Sequence, residues 1–199
     1  SYYALLLFSF GVIPLLELFL PVNRSYLQVK NHLLNRILVV LIVPFHVFLV
    51  WKYLEIFSTG NLKPYETVGA VTTLGILCGV YGINVAHELG HRKNKGFQLL
   101  AQLLLSTSLY MHFFIEHNRG HHKRVATLKD PATARKNETV YQFWVRCISQ
   151  SFKSAFNLEK ERLKRLNKEW YSPDNQFLKF VFIQFIIVLS IALYWDALV

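Results

Sequence analysis

Cysteine is scarce in this chain, with Cys78 and Cys147 the only two among 199 residues. Two thiols cannot build a disulfide framework, so a stapled secreted scaffold is excluded. Acidic side chains are also few, 12 Asp and Glu against 22 Lys and Arg, which leaves a net charge of +10. Only three aspartates occur, Asp130, Asp174 and Asp196, and none precedes a glycine. No histidine follows His122. Internal repeats, low-complexity segments and a secretory leader pattern are all missing. The chain starts at Ser1 inside one apolar run and stops at Val199 just after another, so both ends are expected to be cuts through a longer protein.

What is present is apolar length. Hydrophobic residues make up 53% of the chain, and mean hydropathy is positive. Four runs approach the roughly 20 residues needed to cross a bilayer: Tyr2–Leu20, Ile37–Phe57, Val68–Ala86 and Phe177–Trp195. The first contains Glu17 as its one charge, and the second has Lys52 and Glu55 near its end, where they can snorkel. The third has no charged side chain, and the fourth has Lys179 close to its start. A soluble helix carries a polar stripe, and these runs do not. The expectation is an all-α, polytopic membrane helical bundle, a single membrane-embedded domain over 1–199.

Positive charge sits between the runs rather than in them, which argues for membrane topology over nucleic-acid binding. Arg24, Lys30 and Arg36 follow the first run, and Lys63 with Glu66 follows the second. Arg92, Lys93, Lys95, Arg119, Lys123, Arg124, Lys129, Arg135 and Lys136 follow the third. Read in order, the loops lie inside, outside and inside.

The chemistry concentrates in two short boxes on that inside face. His87-Glu88-Leu89-Gly90-His91 and His117-Asn118-Arg119-Gly120-His121-His122 hold five of the eight histidines. Imidazole is the commonest neutral nitrogen ligand for transition metals. An i, i+4 spacing places His87 with His91, and His117 with His121, each on one helical face. Five nitrogens exceed the four of a closed structural site, which points to more than one ion. For the boxes to meet, Phe97–Ile115 cannot be a straight span, since 19 residues would carry the chain about 28 Å. That run is expected to be interfacial or re-entrant, breaking at Ser106-Thr107-Ser108.

Other segments read more plainly. Val125–Asn137 is polar and carries the turn signal Asp130-Pro131. Thr139–Trp170 reads as a cytoplasmic helical region with a mixed charge run from Glu159 to Arg165, a solvated face or a docking surface for an acidic partner. His32 falls in a basic loop, and His46 reads as a buried histidine of the second run. His112, Glu88, Glu116 and Asp130 are candidates for supporting the ligands rather than for binding metal.

His87-Glu88-xx-His91 also matches the zinc-protease pattern H-E-x-x-H. That reading lacks an Asp-Gly ligand and leaves the second box unused. A metal-transport reading needs charge at mid-membrane, which the third and fourth runs do not offer.

Three stretches together carry a family resemblance: His87 to Arg92, His112 to His122, and Val125-Ala126-Thr127-Leu128-Lys129-Asp130-Pro131-Ala132-Thr133-Ala134-Arg135. They resemble the integral-membrane alkane 1-monooxygenases of bacteria, within the membrane desaturase and hydroxylase superfamily. Gly11 to Glu17 is similar to an early helix of those enzymes. The resemblance implies a six-span enzyme of the bacterial inner membrane with a non-haem di-iron site on its cytoplasmic face. It implies terminal hydroxylation of medium- or long-chain n-alkanes with O2, using electrons from rubredoxin and rubredoxin reductase. It assigns His87, His91, His117, His121 and His122 as catalytic iron ligands. The downstream histidine motifs of that family are missing, so the chain is expected to be an internal fragment with about four of six spans and an incomplete, inactive site. A xylene-type methyl monooxygenase and a fatty-acid desaturase are the neighbouring alternatives.

Overall fold

A computed structural model describes residues 2–20 and 32–196, the side chains of His32, Trp195 and Asp196 excepted. The basic loop with Arg24 and Lys30, and the expected surface position of His32, lie outside the described residues. Every regular element among the described residues is helical. Seven helices follow in order: α1 Ala4–Phe19, α2 His32–Ser58, α3 Pro64–Gly90, α4 Lys95–Thr107, α5 over 112–124, α6 Val140–Arg165 and α7 Gln176–Asp196. Three are long and apolar enough to cross a membrane, α2, α3 and α7, so the chain is a multi-pass membrane protein. The chain divides into two compact units, Ser1–Val85 and Ala86–Val199.

In the first unit, α1 is shorter than the run that suggested it. Leu20 is extended (ψ 136°), as a residue before a proline prefers, and Pro21 follows it. A wide π-helical turn at Phe8–Val12 precedes Pro14, whose ring would clash with the carbonyl four residues back in a regular helix. The start of α1 is tied to α3: Tyr3 Oη donates to the Tyr65 carbonyl (2.6 Å) and Thr73 Oγ1 to the Tyr2 carbonyl (2.5 Å). Gly69 makes room, since a Cβ there would lie 2.6 Å from the Tyr3 ring. Helix α2 passes through Pro44 unbroken and buries Val43 and His46. The His46 ring packs at Gly82, in a second wide turn at Leu77–Ile83. Helix α3 opens with Pro64 at its first turn and with Glu66 accepting from the Lys63 amide (2.9 Å), which is one half of a capping box.

The second unit holds α4 to α7. Asn94 caps α4 by accepting from the Gly96 amide (2.7 Å). The helix ends where Ser106, Thr107 and Ser108 turn their hydroxyls onto the carbonyls of Leu103, Leu104 and Leu105. Leu109 then takes a left-handed conformation (φ 53°) and α5 begins at His112.

Helix α5 lies between α6 and α7. It runs antiparallel to α7: Met111 N donates to Gln184 Oε1 (2.9 Å), Phe114 meets Phe180, and Arg119 donates to Gln176 Oε1 (2.7 Å). It runs parallel to α6: His112 meets Phe152, Ser154 Oγ donates to Glu116 (2.8 Å), and Arg119 donates to Glu159 (2.6 Å). Leu104, Leu105, Ile115, Ala155 and Leu163 are fully enclosed in this unit. The polar stretch before α6 is helix-free, and Thr139 with Gln142 forms the capping box that starts α6.

Candidate metal centre

The last turn of α3 and the middle of α5 bring the two histidine boxes together. His87 and His91 sit one turn apart, with their Nε2 atoms separated by 2.9 Å. His117 Nε2 lies 3.2 Å from His91 Nε2, and His122 Nε2 lies 3.1 Å from His117 Nε2. One ligand nitrogen each from His87, His91 and His117 falls within 4.8 Å of the others. The donor set fits a transition-metal ion. At bonds of about 2.1 Å, nitrogens this close are within reach of one shared ion.

The second box departs from the expected spacing. Residues His117–His121 form a third π-helical turn, so His122 rather than His121 comes back over His117. His121 instead stacks beside His117, with ring centroids 5.2 Å apart, and turns its Nδ1 toward Asp130 Oδ2 at 3.0 Å. The wide turn is held by Glu116, whose Oε2 accepts from the His121 amide (3.1 Å). Its Oε1 accepts from Arg124 (2.9 Å) and from Ser154 (2.8 Å). Gly120 is required here, because a Cβ would press on the Glu116 carboxyl, 2.7 Å from its Cδ.

Electrostatics favour the neutral form of His117 and His91. Burial, together with the neighbouring imidazoles, pushes His117 down to about 3. Burial and the charges of His87 and His122 also lower His91. Burial raises Glu116, against the opposing pull of Ser154 and Arg124. Asp130 is buried, which works to raise it. Hydrogen bonds from Thr133, His121 and the Ala132 amide outweigh that and hold it below the ordinary carboxylate range. An ionised Asp130 only accepts, so His121 Nδ1 carries the ring proton and Nε2 keeps its lone pair for a metal.

Of the supporting residues expected from sequence, Asp130 touches the His121 imidazole and Glu116 touches the His121 backbone. Glu88 does neither among the described residues; it is half exposed and pairs with Arg92 one turn on. His112 is buried between Tyr110 and Phe152, and neither ring nitrogen has a hydrogen-bond partner. Burial pushes it down to about 4.

Sequence reasoning missed Glu159. It was expected in a solvated charge run, yet it is fully enclosed and accepts from Arg119 (2.6 Å), Arg162 (2.7 Å) and the Gln176 amide (2.7 Å). The available signal was its place on the buried face Ser151, Ala155, Glu159, Leu163, one residue per turn of α6. Arg119 and Ser154 were missed because their partners lie on other helices, and Arg124 because it reaches back to Glu116 across the widened turn and over to Ser154 on α6.

The fatty acid desaturase family model matches residues 66–199. Alkane 1-monooxygenase 1 of Alcanivorax borkumensis is 36% identical over 184 residues, covering 89% of this chain and 45% of that protein. The alkane 1-monooxygenase of Pseudomonas putida is 36% identical over 176 residues, 85% of this chain and 44% of that protein. That of Ectopseudomonas oleovorans is 35% identical over 184 residues, 89% and 46%. This chain therefore spans a little under half the length of these relatives. A histidine cluster of this geometry, on helices of a multi-pass membrane protein, agrees with the match that covers both boxes: the chain belongs to the fatty acid desaturase family.

Proposed function

We propose that this chain is the histidine-bearing part of an alkane 1-monooxygenase, which hydroxylates the terminal methyl of medium- or long-chain n-alkanes with O2. The observation that carries the reading is the convergence of His87, His91, His117 and His122 at Nε2. The similarity to alkane 1-monooxygenases over most of this chain supports the choice of reaction.

In this reading His87, His91, His117 and His122 hold iron, and His121 serves a second ion with its tautomer set by Asp130. Iron bound there supplies the O2 activation needed to break a terminal C–H bond, which no side chain can do alone. The protein's own part is to bring the imidazoles together and fix their directions. An alkane offers no polar handle and binds by apolar burial, about 0.8 kcal/mol per methylene. In the first unit Leu5, Ile42, Phe45, Leu49 and Leu77 line an apolar cavity of about 290 Å³, with His46 and Tyr81 at its wall.

The charge pattern of the loops supports placing the histidine boxes at the cytoplasmic face of a bacterial inner membrane. It also supports an acidic electron donor, rubredoxin, reduced in turn by rubredoxin reductase. Next to the second box, Arg119, Lys123, Arg124, Lys129, Lys153 and Arg165 line an open groove of about 490 Å³. Arg119 and Arg124 are engaged by Glu159 and Glu116, while no ion pair is formed among the described residues by Lys123, Lys129 or Lys153. Such a field accelerates encounter with an acidic protein.

The test is elemental analysis of the full-length protein purified in detergent, followed by turnover of octane and hexadecane with rubredoxin. About two irons per chain are expected, since five imidazoles exceed one closed site. One zinc without iron would overturn the reading in favour of a metalloprotease. Oxidation of xylenes but not alkanes would move the substrate to aromatic methyl groups.

A further inference from the structure

The carboxylate that faces His121 belongs to a loop, and its place depends on what holds that loop. Asp130 opens a tight turn that runs to Thr133. Its Oδ1 accepts from the Ala132 amide (3.1 Å), and its Oδ2 accepts from Thr133 Oγ1 (2.5 Å) and faces His121 Nδ1 (3.0 Å). The Thr133 amide closes the turn on the Asp130 carbonyl (3.3 Å). These bonds tie residues 130 to 133 into one unit, so whatever holds the turn also holds the carboxylate. On the α5 side the unit is tethered by the Asp130 amide on the Thr127 carbonyl (3.1 Å) and by the Ala126 amide on Thr133 Oγ1 (3.0 Å).

The hold from the other side comes from α6, through Arg146. Its Nη1 donates to the Pro131 carbonyl (2.9 Å) and its Nη2 to the Thr133 carbonyl (3.1 Å), one on each side of Ala132. The same guanidinium takes Glu138 at two points, Nε to Oε1 (2.5 Å) and Nη2 to Oε2 (2.6 Å). Glu138 Oε2 also accepts from the Arg135 amide (3.0 Å), so the near and far parts of the loop are gathered on one side chain. Arg146 and Glu138 are almost enclosed, with side chains 11% and 9% exposed. The bond from Arg146 holds the Glu138 carboxyl down to about 2, so the pair stays charged at neutral pH. A lysine would keep the charge, but a single ammonium cannot lay several donors along a planar fork.

We propose that Arg146 is a positioning residue of the metal centre: by gripping the turn from Asp130 to Thr133 it sets the distance from Asp130 to His121, and through it the ring direction and tautomer of His121. The inference rests on the reading of His121 as a metal ligand. Arg146 bonds no imidazole of the cluster among the described residues and acts through Asp130. The tolerance is small. From 3.0 Å, a drift of about 0.6 Å ends the bond between Asp130 and His121. Without that acceptor the Nδ1 proton of His121 has no fixed place, and the lone pair on Nε2 is no longer assured.

The test is chelator competition for iron on the full-length protein, with circular dichroism as the fold control. The parent is compared with Arg146→Lys, Asp130→Asn, the two together, and His121→Ala. Arg146→Lys is expected to lower iron affinity by about 10-fold at unchanged helix content, the lower end of what loss of an outer partner costs. Because Arg146 acts through Asp130, the double variant should bind iron no more weakly than Asp130→Asn alone. A staple with no bearing on the metal would lower the unfolding temperature of Arg146→Lys and leave its iron affinity unchanged, which overturns the proposal. A double variant whose loss is the product of the two single losses overturns it as well, since Arg146 would then act by another route. His121→Ala separates this inference from the ligand assignment. Unchanged affinity in that variant overturns both, whereas a loss there with none in Arg146→Lys overturns the role of Arg146 alone. Should Arg146→Lys fail to fold, Glu138→Gln removes the ion pair and leaves the two carbonyl contacts. Weaker iron binding in that variant supports the proposal, and unchanged binding overturns it.

Discussion

Replacing Asp130 with asparagine tests whether the protein sets the charge state of a ligand through a neighbour. Asp130 is almost fully buried and accepts three hydrogen bonds, from His121 Nδ1 (3.0 Å), Thr133 Oγ1 (2.5 Å) and the Ala132 amide (3.1 Å). Asn can keep the bond from the Ala132 amide through a carbonyl oxygen at the Oδ1 position. Its amide then stands at the Oδ2 position, facing Thr133 Oγ1 and His121, and donates where the carboxylate accepted. The favourable response is for His121 to release its Nδ1 proton and carry it on Nε2, which removes the lone pair offered to metal. Loss of such an outer partner lowers metal affinity by about 10- to 100-fold, or roughly 1.4–2.7 kcal/mol. The helices of the second unit should keep their content, because the change is nearly isosteric. The assay is chelator competition for iron on the full-length protein, with circular dichroism as the fold control. Unchanged iron retention with intact fold would refute the argument that Asp130 fixes the His121 tautomer.

Four further outcomes follow from the same geometry. His117→Ala should abolish iron loading, because His117 touches all four other rings of the cluster; full loading measured by elemental analysis would sink the assignment. Gly120→Ala should displace the Glu116 carboxyl and destabilise the protein by about 1–3 kcal/mol, the usual effect of overpacking, as read by thermal unfolding. His112→Phe should leave iron content unchanged and unfolding temperature equal or higher, since two buried nitrogens without partners are removed; iron loss would make His112 a ligand after all. Glu159 is held below its ordinary value: burial works to raise it, and Arg162, the Gln176 amide and Arg119 outweigh that. Its stabilising effect is complete above the unfolded carboxylate pKa and fades as pH falls through the lower folded one. Glu159→Gln should therefore flatten the acid limb of a stability–pH profile, and an unaltered limb would contradict it.

The helices that cross the membrane were legible because length and unbroken apolarity are local properties. Residues 37–57, 68–86 and 177–195 all fall within helices long enough to span. The end of the long fifth run at Ser106-Thr107-Ser108 was legible too, since hydroxyls that capture backbone carbonyls act within one turn. The first run was legible at its far end, where Leu20 precedes Pro21, and came out shorter at its start, where Tyr2 and Tyr3 form a turn ahead of Ala4. In the site, residue types located the two boxes, and the pairing of His87 with His91 followed from regular helix geometry. The pairing of His117 with His122 did not follow, because a π-helical turn depends on a carboxylate from the preceding residue and an arginine and serine from further away. Glu159 shows the same limit, since a charged residue reads as solvated until its partners on α5 and α7 are known.

The widened turn at His117–His121 makes the second box depend on a count as well as on residue types. One additional residue per turn rotates everything downstream by about 100° around the helix axis, relative to an uninterrupted helix. His122 owes its place over His117, and Arg124 its reach back to Glu116, to that phase shift. Deleting one of Asn118, Arg119 or Gly120 would remove no imidazole and would let the turn close as a regular helix, with His122 still one turn after His117 and His121 carried round the axis away from Asp130. Point substitution would register the box as six tolerant or intolerant positions, and would not register that His121 holds its place through the length of the box.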